Sequence, residues 1–219
     1  MKFFFSIFLI FFWSQPIFSN DFQTSYKIKT KGIKIGSLTW SFKKNKDTYE
    51  TNLTLINKGI ISALYSFEGK YKASGSIINK SLFVKEYYQY WKTKKKEKIV
   101  NIIFKNKKII KMEIFPTEIE LPRIEYKKIQ GHNDPLTSFL NILLNQKPAQ
   151  TIDGRRIYLL NPVKKEGGMK IQIKDYTNIW TDHKRNDLEY IEVFLDKNHL
   201  LPRKINIMFK GSIFYLDKI

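Results

Sequence analysis

Residues 100–114 read VNIIFKNKKIIKMEI, and this stretch indicates the fold class of the chain. Apolar and polar residues alternate on both sides of a short polar turn at residues 105–108. Neighbouring side chains of a β-strand point to opposite faces, so this alternation is typical of a strand with one buried face. Two such runs joined by a tight turn predict an antiparallel hairpin. The apolar positions are Val100, Ile102 and Phe104 in the first strand and Ile110, Met112 and Ile114 in the second.

The same alternation recurs on both sides of this hairpin. It extends from Tyr26 and Ile28 near the start to Phe214 and Leu216 near the end, in short runs bounded by Gly, Asn, Asp or Pro. A change of parity at Gly36 predicts a bulge. Strands with one buried and one solvent-exposed face are typical of antiparallel sheets. We therefore predict a mainly β chain of about ten to twelve strands. They would form a single curved antiparallel sheet or an open β-barrel, because a sheet that long must curl.

One segment departs from the two-residue period and predicts an amphipathic helix over about residues 134–146. Asp134 can cap the first free amides, and Pro135 suits the first helical position. The helix would pack on the concave side of the sheet or close one end. The substitution Asp134→Ala would remove this N-cap and is expected to lower the free energy of unfolding by about 1 kcal/mol. The apolar residues with helical spacing are Leu136, Phe139, Leu140, Leu143 and Leu144, which form one stripe.

The first nineteen residues have the three parts of a secretory signal peptide. Lys2 supplies a positive charge, residues 3–13 form an apolar run, and residues 14–19 are more polar and end on Ser19. The apolar run is shorter than the roughly 20 residues that a spanning helix needs. This pattern predicts cleavage after Ser19, with an uncleaved anchor as the alternative. The expected organisation is a signal peptide at residues 1–19 and a single β-rich domain at residues 20–219, exported to the periplasm of a Gram-negative bacterium.

Charge and cysteine content narrow the class of partner. The net charge is +19, and the chain has no cysteine, so disulfides, thiol nucleophiles and cysteine-based metal sites are excluded. Such a positive field favours anionic partners. Export makes nucleic acid an unexpected partner and points to an anionic lipid, an envelope glycolipid or another anionic envelope polymer, with peripheral membrane contact. The alternative is that the lysines are solvated surface.

An aromatic segment followed by lysines is the candidate binding site. Aromatic rings at headgroup depth and ammonium groups on phosphates are the contacts that an anionic membrane offers. The alternative interpretation is a strand with aromatic cross-strand pairs that leads into a solvated turn. The residues assigned to the candidate site are Tyr87, Tyr88, Tyr90, Trp91, Lys94, Lys95 and Lys96.

The sequence offers little for catalysis. His132, His183 and His199 lack the spacing of metal ligands, because a zinc site needs three or four converging groups. Neither a G-x-S-x-G nucleophile motif nor a glycine-rich phosphate loop occurs. We therefore predict a non-enzymatic binding protein with no catalytic residues, no metal and no cofactor. The alternatives are a periplasmic hydrolase that uses Asp134 or His132 and a scaffold that meets an envelope complex through a strand edge.

Four groups of residues carry a resemblance to one exported bacterial family. They are Tyr26, Gly32, Ile33 and Gly36; residues 71–75 (YKASG) with Leu82; residues 134–138 (DPLTS) with residues 153–158 (DGRRIY); and residues 201–203 (LPR) with Gly211 and Leu216. In these residues the chain resembles domain-of-unknown-function family 3108, although it is richer in lysine. The resemblance implies export and a β-rich architecture but no activity. It marks Asp134, Pro135, Asp153, Gly154, Pro202 and Gly211 as structural residues.

Overall fold

The computed structural model describes residues 21–57, 66–181, 187–196 and 199–219. The predicted signal peptide and His183 lie outside the described residues. The α-helix α1 spans Pro135–Asn145, and a short 3-10 helix spans Tyr126–Lys128. The strands are β1 Phe22–Thr30, β2 Ile33–Asn45, β3 Thr48–Asn57, β4 Phe67–Ile78, β5 Ser81–Thr93, β6 Glu97–Lys105, β7 Lys108–Phe115, β8 Ala149–Ile152, β9 Arg156–Lys165, β10 Gly168–Asn178, β11 Leu188–Asp196, β12 His199–Phe209 and β13 Ser212–Lys218.

The 13 strands form one antiparallel sheet in the order β7-β6-β5-β4-β3-β2-β1-β13-β12-β11-β10-β9-β8. Strands that follow one another along the chain pair, except β7 and β8, and β1 also pairs with β13, which joins the two halves. The strand β7 lies at one edge and β8 at the other, so the sheet is not closed into a barrel. The predicted mainly β fold with a single curved antiparallel sheet is confirmed.

The linker after β7 contacts both edges of the sheet. The amide of Gly131 donates to the carbonyl of Lys107 beside β7 at 2.9 Å. Two residues later, the amide of Asn133 donates to Gln150 of β8 at 3.0 Å, and the carbonyl of Asn133 accepts from Ile152 at 2.9 Å. One short segment can reach both edges only because the sheet curls until they lie near each other.

Two of the register shifts between paired strands bear on the predicted pattern. Residue Ile28 faces Gly36 while Lys29 faces Lys34, so Ile35 is the extra residue; this confirms the bulge predicted at Gly36. A second register shift lies between β6 and β7 and makes Ile110 the extra residue. The prediction that Ile110 shares the inner face with Met112 was wrong, since Ile110 is 50% exposed.

The helix α1 packs inside the curled sheet, mainly against β5 and β8, as predicted for the concave side. The side-chain amide of Asn141 donates to the carbonyl of Leu82 in β5 and accepts from its amide, both at 2.8 Å. The hydroxyls of Thr137 and Tyr49 hydrogen-bond at 2.6 Å. Leu144 departs from the prediction, because it lies on the last helical turn and is exposed rather than buried.

Two hydrophobic clusters fill the interior. The larger one packs α1 between the central strands and includes Trp40 and Phe139, whose ring centroids are 5.5 Å apart. The smaller one lies between β4–β7 and the β8–β9 turn, around Tyr87 and Ile152. None of the helices in the described ranges combines the length and the apolar content needed to cross a membrane. The filled interior leaves the ends of the curled sheet as places for a site.

Candidate functional site

A cavity of ≈ 760 Å³ opens at one end of the curled sheet, and we call it the basic cleft. The β5–β6 turn forms one wall, and the β12–β13 turn with the start of β9 forms the opposite wall. Residues far apart in sequence therefore meet across the opening. The lining residues are Tyr71, Gln89, Trp91, Thr93, Lys94, Lys95, Lys96, Lys98, Arg156, Asp187, Phe209 and Lys210.

The β5–β6 turn has a fixed shape that presents its lysines to the cleft. The hydroxyl oxygen of Thr93 accepts hydrogen bonds from the amides of Lys95 and Lys96 at 3.3 and 3.0 Å. The amide of Thr93 in turn donates to the carbonyl of Lys96 at 2.8 Å. Such side-chain-to-backbone bonds are the usual way in which Thr stabilises a turn. These three bonds hold the backbone of the turn from within, and the turn places Lys95 and Lys96 in the lining of the cleft.

The aromatic part of the cleft is built on β4 and β5. Trp91 stacks on Phe67 with ring centroids 5.6 Å apart and an interplanar angle of 11°. A Cβ atom on Gly69 would lie 3.0 Å from the Trp91 ring, so the glycine lets this ring lie close against β4. Since Tyr71 and Phe209 line the same cavity, apolar surface lies directly beside the cations.

The cleft holds an excess of positive charge. Six of its lining side chains are cationic and one is a carboxylate, Asp187, which pairs with Lys210 at 3.7 Å. Arg156 is paired with Asp153 at 3.4 Å. Within the described part of the chain, Lys95, Lys96 and Lys98 form no ion pair with a carboxylate.

The excess of positive charge affects the pKa of Lys98. Burial lowers the pKa of the Lys98 ammonium group, and the nearby charges of Arg155, Arg156 and Lys96 lower it further. Desolvation and like charges both disfavour the charged form of a lysine. The carboxylate of Glu118, which pairs with Arg155, acts on the Lys98 pKa in the opposite direction, and a bound anion would add to its effect. The cleft is therefore suited to a ligand with a negative headgroup.

The structure divides the predicted aromatic-lysine patch into three places. Trp91 and the lysines of the turn line the basic cleft. Tyr87 is 1% exposed and belongs to the smaller core cluster, so its assignment to a contact surface is corrected. Side chains alternate along β5, which puts Tyr88 and Tyr90 on the outer face. There the Tyr90 ring lies 5.8 Å from the ammonium group of Lys70. The lysines at and beside the β5–β6 turn that line the cleft are Lys94, Lys95, Lys96 and Lys98.

The predicted cap residue Asp134 is entirely buried. Its Oδ1 accepts from the amides of Leu136 and Thr137 at 2.9 and 3.1 Å. Its Oδ2 has no hydrogen-bond partner among the described residues. Burial raises the pKa of the Asp134 carboxyl to about 6, against an ordinary value of 3.8. A carboxyl with no exposed surface cannot reach a substrate outside, so its position fits a structural role.

His132 lies close to this helix start but is held by the backbone. Its Nδ1 is 2.9 Å from the carbonyl oxygen of Gln130. Burial lowers the pKa of the imidazole, while this hydrogen bond acts in the opposite direction. In the described ranges, no group of three or more His, Asp or Glu side chains could hold a metal ion.

The other residues marked as structural lie at tight contacts. The carboxylate Oδ1 of Asp153 accepts from the amides of Arg155 and Arg156 at 2.9 and 2.8 Å. Gly154 has a φ of +90°, and a Cβ atom there would lie 2.5 Å from Val100 Cγ1. The carbonyl of Pro202 accepts from the Tyr26 hydroxyl at 2.7 Å. Gly211 has a φ of +68° in the β12–β13 turn. The contacts of Gly154 with Val100 and of Tyr26 with Pro202 join sheet segments that are distant in sequence.

One solved bacterial structure shares this architecture. It is the crystal structure of a beta-barrel-like protein of domain of unknown function DUF1849 from Brucella abortus. The superposition has a TM-score of 0.53 and 11% sequence identity, and it covers 90% of this chain and 95% of that chain. At this identity the likeness shows the fold alone. No protein-family model and no curated protein matches this chain, so the resemblance to family 3108 stays a prediction.

Proposed function

We propose that this chain is an exported, non-enzymatic protein that binds the phosphate-bearing headgroup of an anionic lipid or glycolipid in the basic cleft. The observation that carries the proposal is the lining of the basic cleft, where six cationic side chains and one carboxylate, Asp187, lie around one opening beside the Trp91 ring. Such a cluster is stabilised when an anion enters, because the anion offsets the repulsion among its charges. Phosphate is a suitable anion because Lys and Arg both form charge-assisted hydrogen bonds to its oxygens.

The shape of the cleft favours a headgroup over a whole acyl chain. The interior beneath it is occupied by core side chains such as Tyr87 and Val100. Its walls combine the ring of Trp91 with ammonium groups, which is the combination found where proteins meet lipid headgroups. An anionic envelope polymer would satisfy the cations equally well, but it would make less use of the aromatic wall.

The two rival classes have weaker support. A hydrolase that uses Asp134 would need a carboxyl that a substrate can reach, whereas this one is 0% exposed. A scaffold would pair through a strand edge, and the linker bridges β7 at Lys108 and β8 at Thr151, so that a partner would have to use the rest of β7. Neither class makes use of the cations in the basic cleft.

Export is the part of the proposal that N-terminal sequencing tests directly. The positive start, the apolar run at residues 3–13 and the polar end at Ser19 support cleavage by a signal peptidase. Protein recovered from the envelope fraction is expected to begin near Asn20. A mature chain that keeps Met1 would contradict cleavage.

Headgroup binding can be measured with short-chain lipids below their micelle concentration, which present the headgroup without a membrane. We expect dihexanoyl phosphatidylglycerol to bind the mature protein and dihexanoyl phosphatidylcholine to bind much more weakly in calorimetric titration. The triple variant Lys95→Gln, Lys96→Gln, Lys98→Gln should lose between about tenfold and about a hundredfold in affinity at about 0.1 M salt, since each lysine near an anion contributes about 1 kcal/mol before screening by salt reduces it.

The matched control removes the same charge from the opposite end of the sheet. The variant Lys43→Gln, Lys44→Gln, Lys46→Gln changes exposed residues beside the β2–β3 turn. Titrated at about 0.1 M salt, where the Debye length is about 10 Å, it should keep wild-type affinity within about threefold, because the β2–β3 turn lies at the other end of the strands. Equal losses of affinity in the two triple variants would mean that the lipid responds only to the net charge of the protein and not to the basic cleft. Equal affinity of the wild-type protein for the two lipids would overturn the proposal.

A further inference from the structure

The loop between β7 and the 3-10 helix carries an unusual cluster of exposed apolar side chains. Ile119 is 103% exposed, Leu121 is 89% exposed and Phe115 is 54% exposed, all within seven residues. Single exposed apolar residues are normal on a protein surface. A contiguous group at one tip marks a contact with another protein or a membrane. We call residues 115–121 the apolar loop.

The base of the apolar loop is fastened, so its tip is held away from the core. The Arg155 guanidinium donates to the carbonyl of Pro116 at 3.0 Å, and its Nε donates to the carboxylate of Glu118. Beyond the tip, the amide of Arg123 donates to the carbonyl of Ile179 at 2.8 Å. With both ends tied to the β8–β9 turn and to the segment after β10, Ile119 and Leu121 stay outside the core.

Cations lie directly beside the apolar tip. A second cavity, of ≈ 740 Å³, separates the loop from the β5–β6 turn, and its walls include Ile119, Lys95, Lys96 and Lys98. The acids nearby are largely compensated, because Glu118 pairs with Arg155 and Glu97 pairs with Lys92. Glu120 is the remaining carboxylate of the loop.

We infer that the apolar loop is a membrane-docking element. It would insert Ile119 and Leu121 among the headgroups of an anionic bilayer while the lysines of the β5–β6 turn contact phosphates. Apolar insertion combined with attraction of lysines to anionic lipid is a common basis of peripheral membrane binding. A protein partner fits the loop less well, since a stable protein interface needs about 800 Å² on each side. The loop offers a few side chains at a narrow tip.

The inference rests on the proposed function, because headgroup binding in the basic cleft gives the reason for docking on a membrane. Lys95, Lys96 and Lys98 line both the basic cleft and the loop-side cavity. A bilayer that accepts the apolar loop would therefore bring its headgroups to the mouth of the basic cleft. Docking would place the chain where its headgroup ligand is concentrated.

Vesicle flotation of the mature protein tests the inference. We expect the protein to float with vesicles of mixed phosphatidylglycerol and phosphatidylcholine at low salt. With vesicles of pure phosphatidylcholine it should remain in the bottom fraction. The variant Ile119→Ser, Leu121→Ser should bind the anionic vesicles at least about tenfold more weakly, because it removes the inserted apolar surface. Its affinity for dihexanoyl phosphatidylglycerol should stay within about twofold of the wild type, since the basic cleft is unchanged.

The control variant Ile78→Ser, Ile110→Ser removes two half-exposed isoleucines, 55% and 50% exposed, at the opposite end of the sheet. It should leave vesicle binding unchanged. Equal losses in the two double variants, or no vesicle binding by the wild type, would overturn the docking inference. Vesicle binding that depends on the loop, without any binding of the short-chain lipid, would support docking and contradict the proposed headgroup site.

A second measurement follows insertion itself. The chain has no cysteine, so Leu121→Cys carries a single environment-sensitive fluorophore. Its emission should shift to the blue on anionic vesicles, while the same label at Ile78→Cys should not respond. An unchanged spectrum at Leu121→Cys, with the protein bound to the vesicles, would show that another surface makes the contact and would overturn the inference.

Discussion

Asp134→Asn is expected to change the pH dependence of stability by about 2 kcal/mol between about pH 4.5 and about pH 7.5. In the folded wild type, burial raises the pKa of the Asp134 carboxyl to about 6 from 3.8, a difference equivalent to about 3 kcal/mol. The protonated form stabilises the folded state. This stability is fully present below the unfolded pKa of 3.8 and is lost as the pH rises through about 6. Asparagine still offers an oxygen to the amides of Leu136 and Thr137 but does not titrate.

Chemical denaturation of the wild type and the variant at the two pH values measures this effect. The free energy of unfolding of Asp134→Asn, relative to the wild type, should rise as the pH rises. The control Asp47→Asn changes an exposed residue of the β2–β3 turn and should follow the wild type at both pH values. A difference between Asp134→Asn and the wild type that does not vary with pH would mean that the carboxyl is already ionised at little cost in the fold.

The burial of this cap also revises the expected effect of Asp134→Ala. Loss of a solvent-exposed cap would lower the free energy of unfolding by about 1 kcal/mol. Here the amides of Leu136 and Thr137 would lose their acceptor inside the protein, where an unsatisfied polar group costs about 1–3 kcal/mol. The sequence shows that Asp134 precedes a helix. It does not show that the helix start lies at the centre of a curled sheet.

Much of the fold could be predicted because most strands have one solvent-exposed face, and their sequences therefore alternate between polar and apolar residues. The alternation of Tyr26 and Ile28 with polar residues identifies β1 directly. In β9 the alternation predicts that Ile157 and Leu159 face the core, and this prediction was wrong, because Tyr158 and Leu160 are also aromatic or apolar and occupy that face. In β9 the structure buries Tyr158 and Leu160, a choice that depends on the strands packed around them.

The candidate site could be predicted only where its residues are close in sequence. Trp91 and Lys94 to Lys96 stand within six positions, so they were recognised as a patch. Arg156 and Lys210 reach the same cleft from β9 and the β12–β13 turn. Their meeting depends on the pairing of β1 with β13 and on the curvature that follows. No local pattern in a single sequence carries that information.

The bulge at Gly75 sets the register between β4 and β5 and thereby the position of the cleft wall. Gly75 faces Val84 while Ser74 faces Glu86, so Lys85 is the extra residue of β5. A Cβ atom on Gly75 would lie 2.0 Å from the carbonyl oxygen of Phe83 and 3.0 Å from the Tyr49 ring. The nearest atom is backbone, so no side-chain rotation can relieve the contact.

Gly75→Ala is therefore expected to lower the free energy of unfolding by about 3 kcal/mol, because one strand must move away from the other. The control is Gly32→Ala in the β1–β2 turn, where the φ is +78° and a Cβ atom would meet nothing within 4 Å. That variant should cost only about 1 kcal/mol, from backbone strain. Denaturant unfolding of both proteins separates the two causes. Equal costs would mean that β5 yields easily at the bulge. A stable Gly75→Ala with a weakened affinity for dihexanoyl phosphatidylglycerol would show that β5 had shifted and carried Trp91 with it.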